Sequence, residues 1–240
     1  MDITKLTKPA RKALKLKKCG AVIVAAGSAS RMKGIDKILT PLAGEPVLSR
    51  TLAAFQECDA VAEMVIVTRP DLILAVTDLS KAFPKVRAVV AGGKTRQESV
   101  AAGLGALSED CGLAAIQDGA RPLVTWQLID RTIRAANTYG AAAPAIPVKD
   151  TIKTVKGGLV ESTPDRACLY AVQTPQVFDI DLLKAALHKA KAEGTAVTDD
   201  CSAVENLGMK VKIVEGEERN IKITTPLDLK IAEAILEESL

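Results

Sequence analysis

The chain has 240 residues, which is enough for one large domain whose core needs neither disulfides nor a structural metal. Hydrophobic residues make up 48% of it but aromatic residues only 2%, a mixture typical of parallel strands covered by helices. Residues 1–18 carry a net charge of +6 and the remaining residues a net charge of −3, which excludes a body that binds nucleic acid through charge.

Residues 1–18 form a basic N-terminal extension with seven Lys or Arg side chains and one acidic residue, Asp2. It contains no apolar run long enough for a secretory signal or a membrane span. We therefore expect a cytoplasmic protein with no membrane partner. We interpret the extension as a frayed or surface-docked helix.

Strand-like apolar runs alternate with helical patterns through the first part of the chain. The predicted strands are 21–26, 63–68, 86–91, 113–117 and 141–147. The predicted helices between them are 46–58, 71–82, 95–108 and 125–138. This alternation predicts an α/β fold with right-handed crossovers and a mostly parallel sheet. Ligands of such sheets bind beyond the carboxyl ends of the strands.

The alternation stops between Lys149 and Thr163, where two short strand-like runs flank Gly157-Gly158. This pattern predicts a β-hairpin arm at about 148–165. An isolated hairpin is marginally stable in water, so we expect a second subunit to support it. An apolar run at 169–172, helices near 179–192 and 199–207, a strand at 210–214 and a last helix at 226–238 follow. Residues 19–240 are therefore interpreted as one domain with an arm.

The first predicted strand runs directly into a loop of small and basic residues, Gly27 to Lys37. Backbone N–H groups of such a loop can surround a polyphosphate while Arg31 and Lys37 face its charge. An ordinary glycine turn explains the same residues equally well at this point. Ala29 and Met32 occupy positions where a dinucleotide fingerprint has glycine, and the loop lacks the Gly-Lys-Ser/Thr of the Walker pattern.

Polar residues also concentrate in four later segments. Gly92 to Ser99 could hold a planar base against its backbone, and Asp118, at the end of a strand, could hold Mg²⁺. The segments around Arg166 and around Thr198 with Lys222 would suit a second anionic group. Each segment, taken alone, is also explained by a helix cap or a turn.

The cysteine and histidine residues do not indicate a catalytic site. Five separated cysteines without a Cys-x-x-Cys pair are interpreted as small core residues of a cytosolic protein. The single histidine, His188, lies in a helical pattern rich in Lys and Ala, and we expect it at the surface. This speaks against a Ser-His-Asp or Cys-His mechanism.

Taken in order, these motifs resemble those of the 2-C-methyl-D-erythritol 4-phosphate cytidylyltransferases of the non-mevalonate isoprenoid pathway. The motifs are Ala25 to Gly27 with Arg31 and Lys37, GGKTRQES at 92–99, DGARP at 118–122, VKDT at 148–151, Asp165-Arg166, QTPQVF at 173–178, VTDDCSAVE at 197–205 and EGEERNIKITTPLDL at 215–229. The resemblance covers about residues 20–238. No single motif is specific, but the ordered set is.

The resemblance implies a single-domain, Rossmann-like nucleotidyltransferase fold that acts as a homodimer through its arm. It implies that Arg31 and Lys37 stabilise the transition state, and that Asp118 lies beside Mg²⁺ or another divalent cation. The residues implied in binding CTP are Ala25, Ala26, Gly27, Ser28, Gly93, Lys94, Ser99, Asp118 and Gly119. Those implied in binding the sugar-alcohol phosphate are Arg121, Thr198, Lys222 and, from the neighbouring subunit, Thr151 and Arg166.

The implied reaction needs no general base, because the phosphate oxygen that attacks the α-phosphorus of CTP is already an anion. Two alternatives remain: a ribitol-5-phosphate cytidylyltransferase, and a homologue that binds nucleotide without catalysis. The chain departs from the family pattern at Ala29, Lys94 and Ile38, and the run from Met32 to Lys37 is short.

Overall fold

The computed structural model describes residues 15–27, 36–195 and 197–238 of the chain. Its strands are β1 Cys19–Ala25, β2 Pro41–Leu42, β3 Glu45–Pro46, β4 Val61–Thr68, β5 Val86–Ala91, β6 Leu113–Asp118, β7 Ala141–Pro147, β8 Thr154–Lys156, β9 Leu159–Ser162, β10 Tyr170–Val172, β11 Gln176–Asp179 and β12 Lys212–Glu215. Its α-helices are α1 Val47–Glu57, α2 Ile73–Ser80, α3 Arg96–Ala106, α4 Trp126–Tyr139, α5 Ile180–Glu193, α6 Asp200–Glu205 and α7 Pro226–Glu237.

A central sheet organises these elements in the order β10-β7-β11-β6-β1-β4-β5, and β12 pairs with β7. The pairings β1–β4, β1–β6, β4–β5 and β7–β12 are parallel. Strand β11 runs antiparallel between β6 and β7, and β10 runs antiparallel to β7. The predicted α/β class and mostly parallel sheet are confirmed. Strand β11 was not predicted, because it has only four residues and begins with Gln176.

Alternating side chains of the strands build a core on each face of the sheet. On one face, Ile23 of β1 belongs to a cluster that includes residues of α1, α2 and α4. On the other, Val22 belongs to a cluster with residues of α3, α5 and α6. A smaller cluster joins Leu42 of β2 to Ile223 and to Ala232 of α7. The parallel strands are therefore covered on both sides, as their apolar sequence requires.

Side-chain caps set the start of several helices. Among the described residues, five α-helices begin directly after a residue whose side-chain oxygen accepts a hydrogen bond from the first turn: Thr95, Thr125, Asp179, Asp199 and Thr225. Such a cap replaces a hydrogen-bond partner that the first helical N–H groups lack. Two of these capped helices, α3 and α6, begin directly after predicted site segments.

The segment after β7 contains a two-stranded antiparallel hairpin, β8–β9. Its turn residues Gly157 and Gly158 have φ of 58° and 83°, values that favour glycine and suit a two-residue hairpin turn. The strand-like run of the sequence begins at Thr151, but the first strand of the hairpin begins at Thr154. All residues of both strands are exposed, which leaves Val155, Leu159 and Val160 in contact with solvent.

Two other expectations are met only in part. Four cysteines are buried, but Cys168 is exposed, so its assignment to the core was wrong; it lies in a short 3₁₀ helix, Arg166–Cys168, outside the sheet. His188 is exposed, as predicted. The first 14 residues of the basic extension lie outside the described residues, and residues 15–18 are not helical. Lys17 and Lys18 of that segment form ion pairs with Asp179 and Asp110, both at 2.7 Å.

None of the helices in the described ranges is both long and apolar enough to cross a bilayer.

We predict opposite effects of alanine at two glycines of α3. A Cβ at Gly103 would lie 2.8 Å from Cγ2 of Val67 and still closer to Val22, so Gly103→Ala should lower the free energy of unfolding by about 1–2 kcal/mol through overpacking. A Cβ at Gly105 meets nothing within 4 Å. Gly105→Ala should therefore raise that free energy by about 0.5–1 kcal/mol through helix propensity. Urea unfolding measures both, and equal effects at the two positions would contradict this packing.

Candidate functional site

A cavity of about 310 Å³ opens at the carboxyl ends of the parallel strands. Its lining comes from the end of β1, the segment at Lys37, the turn after β5 with the start of α3, the end of β6, and Lys222, so five segments far apart in sequence meet there. Predicted site residues that line it are Ala25, Ala26, Gly27, Lys37, Gly93, Lys94, Ser99, Asp118 and Lys222. Residues without a predicted role also line it: Val24, Ile38, Thr95, Arg96 and Ala120.

One wall is the turn between β5 and α3, which we call the base turn, residues 92–95. Oε2 of Glu98 accepts hydrogen bonds from the N–H groups of Lys94 (2.6 Å) and Thr95 (3.3 Å). Oγ of Ser99 accepts one from Gly93 N at 3.2 Å and donates one to Thr95 O at 2.9 Å. A Cβ at Gly93 would collide with Glu98. The first turn of α3 therefore fixes this backbone before any ligand binds.

A second part of the site carries an anion between two cations, and we call Asp118, Arg121 and Lys222 the Asp118 cluster; Asp118 and Lys222 line the cavity. Oδ2 of Asp118 lies 2.9 Å from Nζ of Lys222 and 3.3 Å from Nε of Arg121. Asp118 is only 8% exposed. Burial by itself raises the pKa of Asp118, but the charges of Lys222 and then Arg121 outweigh it and hold the pKa below its usual range. The carboxylate is therefore ionised at neutral pH.

Buried polar groups fix the cluster in place. The N–H of Asp118 donates to Oγ1 of Thr174 at 3.1 Å, and Nδ2 of Asn220 donates to the carbonyl of Thr174 at 2.9 Å. Nη1 of Arg121 donates to the carbonyl of Asn220 at 2.6 Å. Gln173 holds the same loop through a 2.7 Å hydrogen bond from its Nε2 to the carbonyl of Glu217. Lys222 thus reaches Asp118 because its loop is bound to the segment before β11.

The structure places the predicted phosphate loop only in part. Lys37 lies over Gly27, since its Nζ is 4.0 Å from the position of a Cβ at that glycine. Asp36 anchors the start of the Lys37 segment through a 2.7 Å ion pair with Arg69, just after β4. Arg31 and Ser28 lie outside the described residues. Their predicted roles stay predictions.

Five predicted residues of the described ranges do not line the cavity. Arg121 contacts Asp118, which does line it, but Arg121 itself is not part of the lining. Gly119 lies directly behind it, and its N–H donates to the carbonyl of Val24 at 2.9 Å. Thr198 is exposed, one residue before Asp199, the cap of α6. Arg166 and Thr151 are exposed near the base of the hairpin, where Nη1 of Arg166 donates to the carbonyl of Lys149 at 2.8 Å. Within one chain, the structure does not bring Thr151, Arg166 or Thr198 into the cavity lining.

Sequence reasoning gave no role to an ion pair that joins two parts of the site. Nη1 of Arg96 lies 2.7 Å from Oδ2 of Asp200, which is 1% exposed. The available signal was weak: an arginine after a glycine turn, and two successive aspartates at a helix start. Only the spatial proximity of α3 and α6 shows that these two residues meet.

The site can be compared with what a hard divalent cation requires. In the described ranges, no group of three or more His, Cys, Asp or Glu side chains is placed to hold a metal. Mg²⁺ bound to a nucleotide takes few protein ligands, because phosphates and water supply the others. Both cations of the Asp118 cluster contact Oδ2. Asp118 therefore fits as a single ligand, with Oδ1 as the expected donor atom.

We predict that Lys222→Met raises the pKa of Asp118, because burial remains while the strongest opposing charge is removed. In the wild type the lowered pKa contributes stability that is present at neutral pH and is lost as the pH falls through it. In the variant that loss should occur at higher pH. Carbon-13 NMR titration of the Asp118 carboxyl group measures the shift.

Lys149→Met is the matched control, since Lys149 pairs with the exposed Glu218 at 2.7 Å. It should leave the pKa of Asp118 unchanged. An unchanged pKa in Lys222→Met would contradict the cluster as described.

Comparison with known proteins gives one consistent result. The family model described as 2-C-methyl-D-erythritol 4-phosphate cytidylyltransferase matches residues 19–238. The protein of that name from Caldanaerobacter subterraneus is 47% identical over 221 residues, 90% of this chain and 97% of its own length. The one from Halalkalibacterium halodurans is 48% identical over 220 residues, 90% of this chain and 96% of its own.

A solved structure agrees. The crystal structure of 4-diphosphocytidyl-2C-methyl-D-erythritol synthase from Anaerococcus prevotii superposes with a TM-score of 0.84 at 34% identity, covering 92% of this chain and 96% of that one. Together with the cavity at the carboxyl ends of the strands, these matches show that the chain belongs to the 2-C-methyl-D-erythritol 4-phosphate cytidylyltransferase family of nucleotidyltransferases.

Proposed function

We propose that this protein transfers CMP from CTP to 2-C-methyl-D-erythritol 4-phosphate in a reaction that depends on Mg²⁺. The products are 4-diphosphocytidyl-2-C-methyl-D-erythritol and pyrophosphate. The observation that carries the proposal is the cavity itself, whose lining combines a rigid base turn with Asp118 and Lys222 of the Asp118 cluster. Its lining offers backbone groups for a base, and Lys37 and Lys222 offer positive charge for phosphate groups.

The base turn supports the cytosine assignment. Its backbone is held by Glu98 and Ser99, so its outward groups have a fixed arrangement. A fixed backbone discriminates between bases at no ordering cost during binding. Gly93 leaves room for a planar ring to lie against the main chain.

The Asp118 cluster supports the acceptor assignment. Lys222 lines the cavity, Arg121 lies next to the lining residue Asp118, and the carboxylate of Asp118 pairs with both cations. A bound acceptor phosphate would pair with these cations and replace part of their pairing with Asp118. Mg²⁺ bound at Asp118 would supply further charge neutralisation for the triphosphate.

The chemical step then needs positioning and charge, and no proton transfer by the protein. The acceptor oxygen attacks the α-phosphorus in line, the bond to the β-phosphate oxygen breaks, and pyrophosphate leaves with that electron pair. Lys37, above Gly27, is placed to neutralise charge that develops on the phosphates. Arg31 has the same proposed role from the loop outside the described residues.

An assay with two acceptors tests the proposal. The protein is incubated with CTP, Mg²⁺ and either 2-C-methyl-D-erythritol 4-phosphate or ribitol 5-phosphate, and pyrophosphate release is measured. We expect release with the first acceptor at a kcat/KM far above that with the second. Preference for ribitol 5-phosphate would contradict the proposed acceptor. CTP binding without release from either would favour a non-catalytic homologue.

We predict that Arg31→Ala and Lys37→Ala each lower kcat by about 10²-fold or more, with a smaller change in KM for the acceptor. The reason is the role proposed for both cations, which is to neutralise charge that appears in the transition state. Lys81→Ala removes an exposed lysine that pairs with Asp78 and serves as the control. Unchanged kcat with weakened acceptor binding would contradict the transition-state role.

We further propose that the protein acts as a homodimer through the β8–β9 hairpin. Val155, Leu159 and Val160 are 59%, 77% and 62% exposed there, which is unfavourable for three apolar side chains on a two-stranded hairpin. A second copy of the chain would cover them. It would also bring Arg166 and Thr151 to the neighbouring cavity, which they do not line in their own chain.

We predict that deletion of residues 150–162 produces a monomer in sedimentation velocity and strongly reduces turnover. Leu159→Lys with Val160→Lys is a milder change that leaves the hairpin turn intact and should have the same effect. Leu74→Lys, at an exposed leucine of α2, is the matched surface control and should leave the sedimentation coefficient unchanged. A dimer that persists in both hairpin variants would contradict this interface.

A further inference from the structure

An ion pair connects two helix starts that lie on different sides of the candidate site. Arg96 is the first residue of α3 and Asp200 the first of α6. Their Nη1 and Oδ2 atoms are 2.7 Å apart. Arg96 also lines the cavity, whereas Asp200 lies behind it and is 1% exposed.

Each partner belongs to a segment with its own predicted ligand. Arg96 follows the base turn directly, and the same helical turn carries Glu98 and Ser99, which fix that turn. Asp200 follows Thr198 and Asp199, the segment implied in binding the acceptor. The ion pair therefore directly connects the base turn with the segment that is implied in binding the acceptor.

The acceptor side of this connection is itself fixed to the sheet. Nε2 of Gln176, on β11, donates to Oδ2 of Asp199 at 2.7 Å. Oε1 of the same side chain accepts the N–H groups of Asp200 at 3.1 Å and Cys201 at 3.2 Å. These hydrogen bonds hold residues 199–201 against the sheet. A change in the position of Arg96 would therefore strain its ion pair with Asp200, because residues 199–201 cannot move with it.

The ion pair contributes little to the stability of the fold, because burying the two charges costs desolvation free energy. Within the described part of the chain, Arg96 is the one cation paired with Asp200, and burial raises the pKa of that carboxyl against the opposing effect of Arg96. Apolar residues of similar volume often replace buried ion pairs with no loss of stability. A contribution to geometry explains the pair better than a contribution to stability.

We propose that Arg96 and Asp200 are positioning residues. They hold the base turn at a fixed distance from the Thr198 segment, residues 197–199, which directly precedes Asp200. The α-phosphorus of CTP and the acceptor oxygen then meet at the distance that in-line attack needs. A displacement of about 1 Å can lower a rate about 10²-fold, so a rigid link between the two sides has a direct effect on kcat. This inference rests on the proposed function for the identity of the two ligands.

The experiment compares Arg96→Gln, Asp200→Asn and the double variant. Each single variant leaves one member of the pair without its partner and should lower both Tm and kcat. The double variant removes both charges, so Tm should recover to within a few degrees of the wild type. Its kcat should stay about 10-fold or more below the wild type, while its Kd for CTP, measured by calorimetry without acceptor, changes by less than about 3-fold.

The control is the double variant Asp130→Asn with Arg134→Gln, an i,i+4 ion pair on α4 outside the cavity. It should leave Tm, kcat and Kd unchanged. If the Arg96→Gln/Asp200→Asn variant recovers both Tm and kcat, the pair is only structural and the proposal is overturned. Should that variant not fold, Arg96→Lys keeps the charge and shortens the reach, and wild-type kcat in that variant overturns the proposal equally.

A second readout separates this inference from the proposed function. Hydrogen–deuterium exchange is followed with and without CTP, so no transfer is needed. In the wild type, CTP should slow exchange in residues 92–99 and also in 197–201. In the Arg96→Gln/Asp200→Asn variant protection should stay within 92–99. Protection confined to 92–99 in the wild type would overturn the link, even if pyrophosphate release confirms the enzyme's activity.

Discussion

The site depends on one nearly buried carboxylate, Asp118, and on the two cations that keep it ionised. Burial alone would favour its neutral form, and a neutral acid could neither hold Lys222 and Arg121 nor bind a metal. The cations in turn have fixed positions because the carboxylate is fixed at the end of a central strand. The ionised state of Asp118 and the positions of Lys222 and Arg121 therefore depend on the same contacts.

Those contacts are possible because the fold brings distant segments to one edge of the sheet. Strands β1 and β6 are parallel neighbours, so the loop at Gly27 and the end of β6 at Asp118 lie side by side. Lys222 arrives from a third segment, which Gln173 and Asn220 bind to the turn before β11. The polar residues of that turn are thus structural parts of the site, although none of them lines the cavity.

Much of this could be predicted from the sequence where the signal is local. Strands β5 and β7 have the predicted bounds. The glycine turns follow strands, and Asp118 lies at the end of a strand, as expected. What failed depends on distant partners. Strand β11 is too short to give a periodic signal, and it forms because β6 and β7 lie on either side of it. The pair of Arg96 with Asp200 has only a weak local signal, because each residue is also a normal start of a helix.

The central claim is that the charge of Asp118, and not only its shape, organises the site. Asp118→Asn keeps the size of the side chain and removes the charge, so steady-state turnover of CTP and acceptor by this variant tests the claim most directly. The account predicts that kcat falls by about 10²-fold or more in a variant whose circular dichroism spectrum matches the wild type. A folded Asp118→Asn variant with wild-type kcat would contradict it.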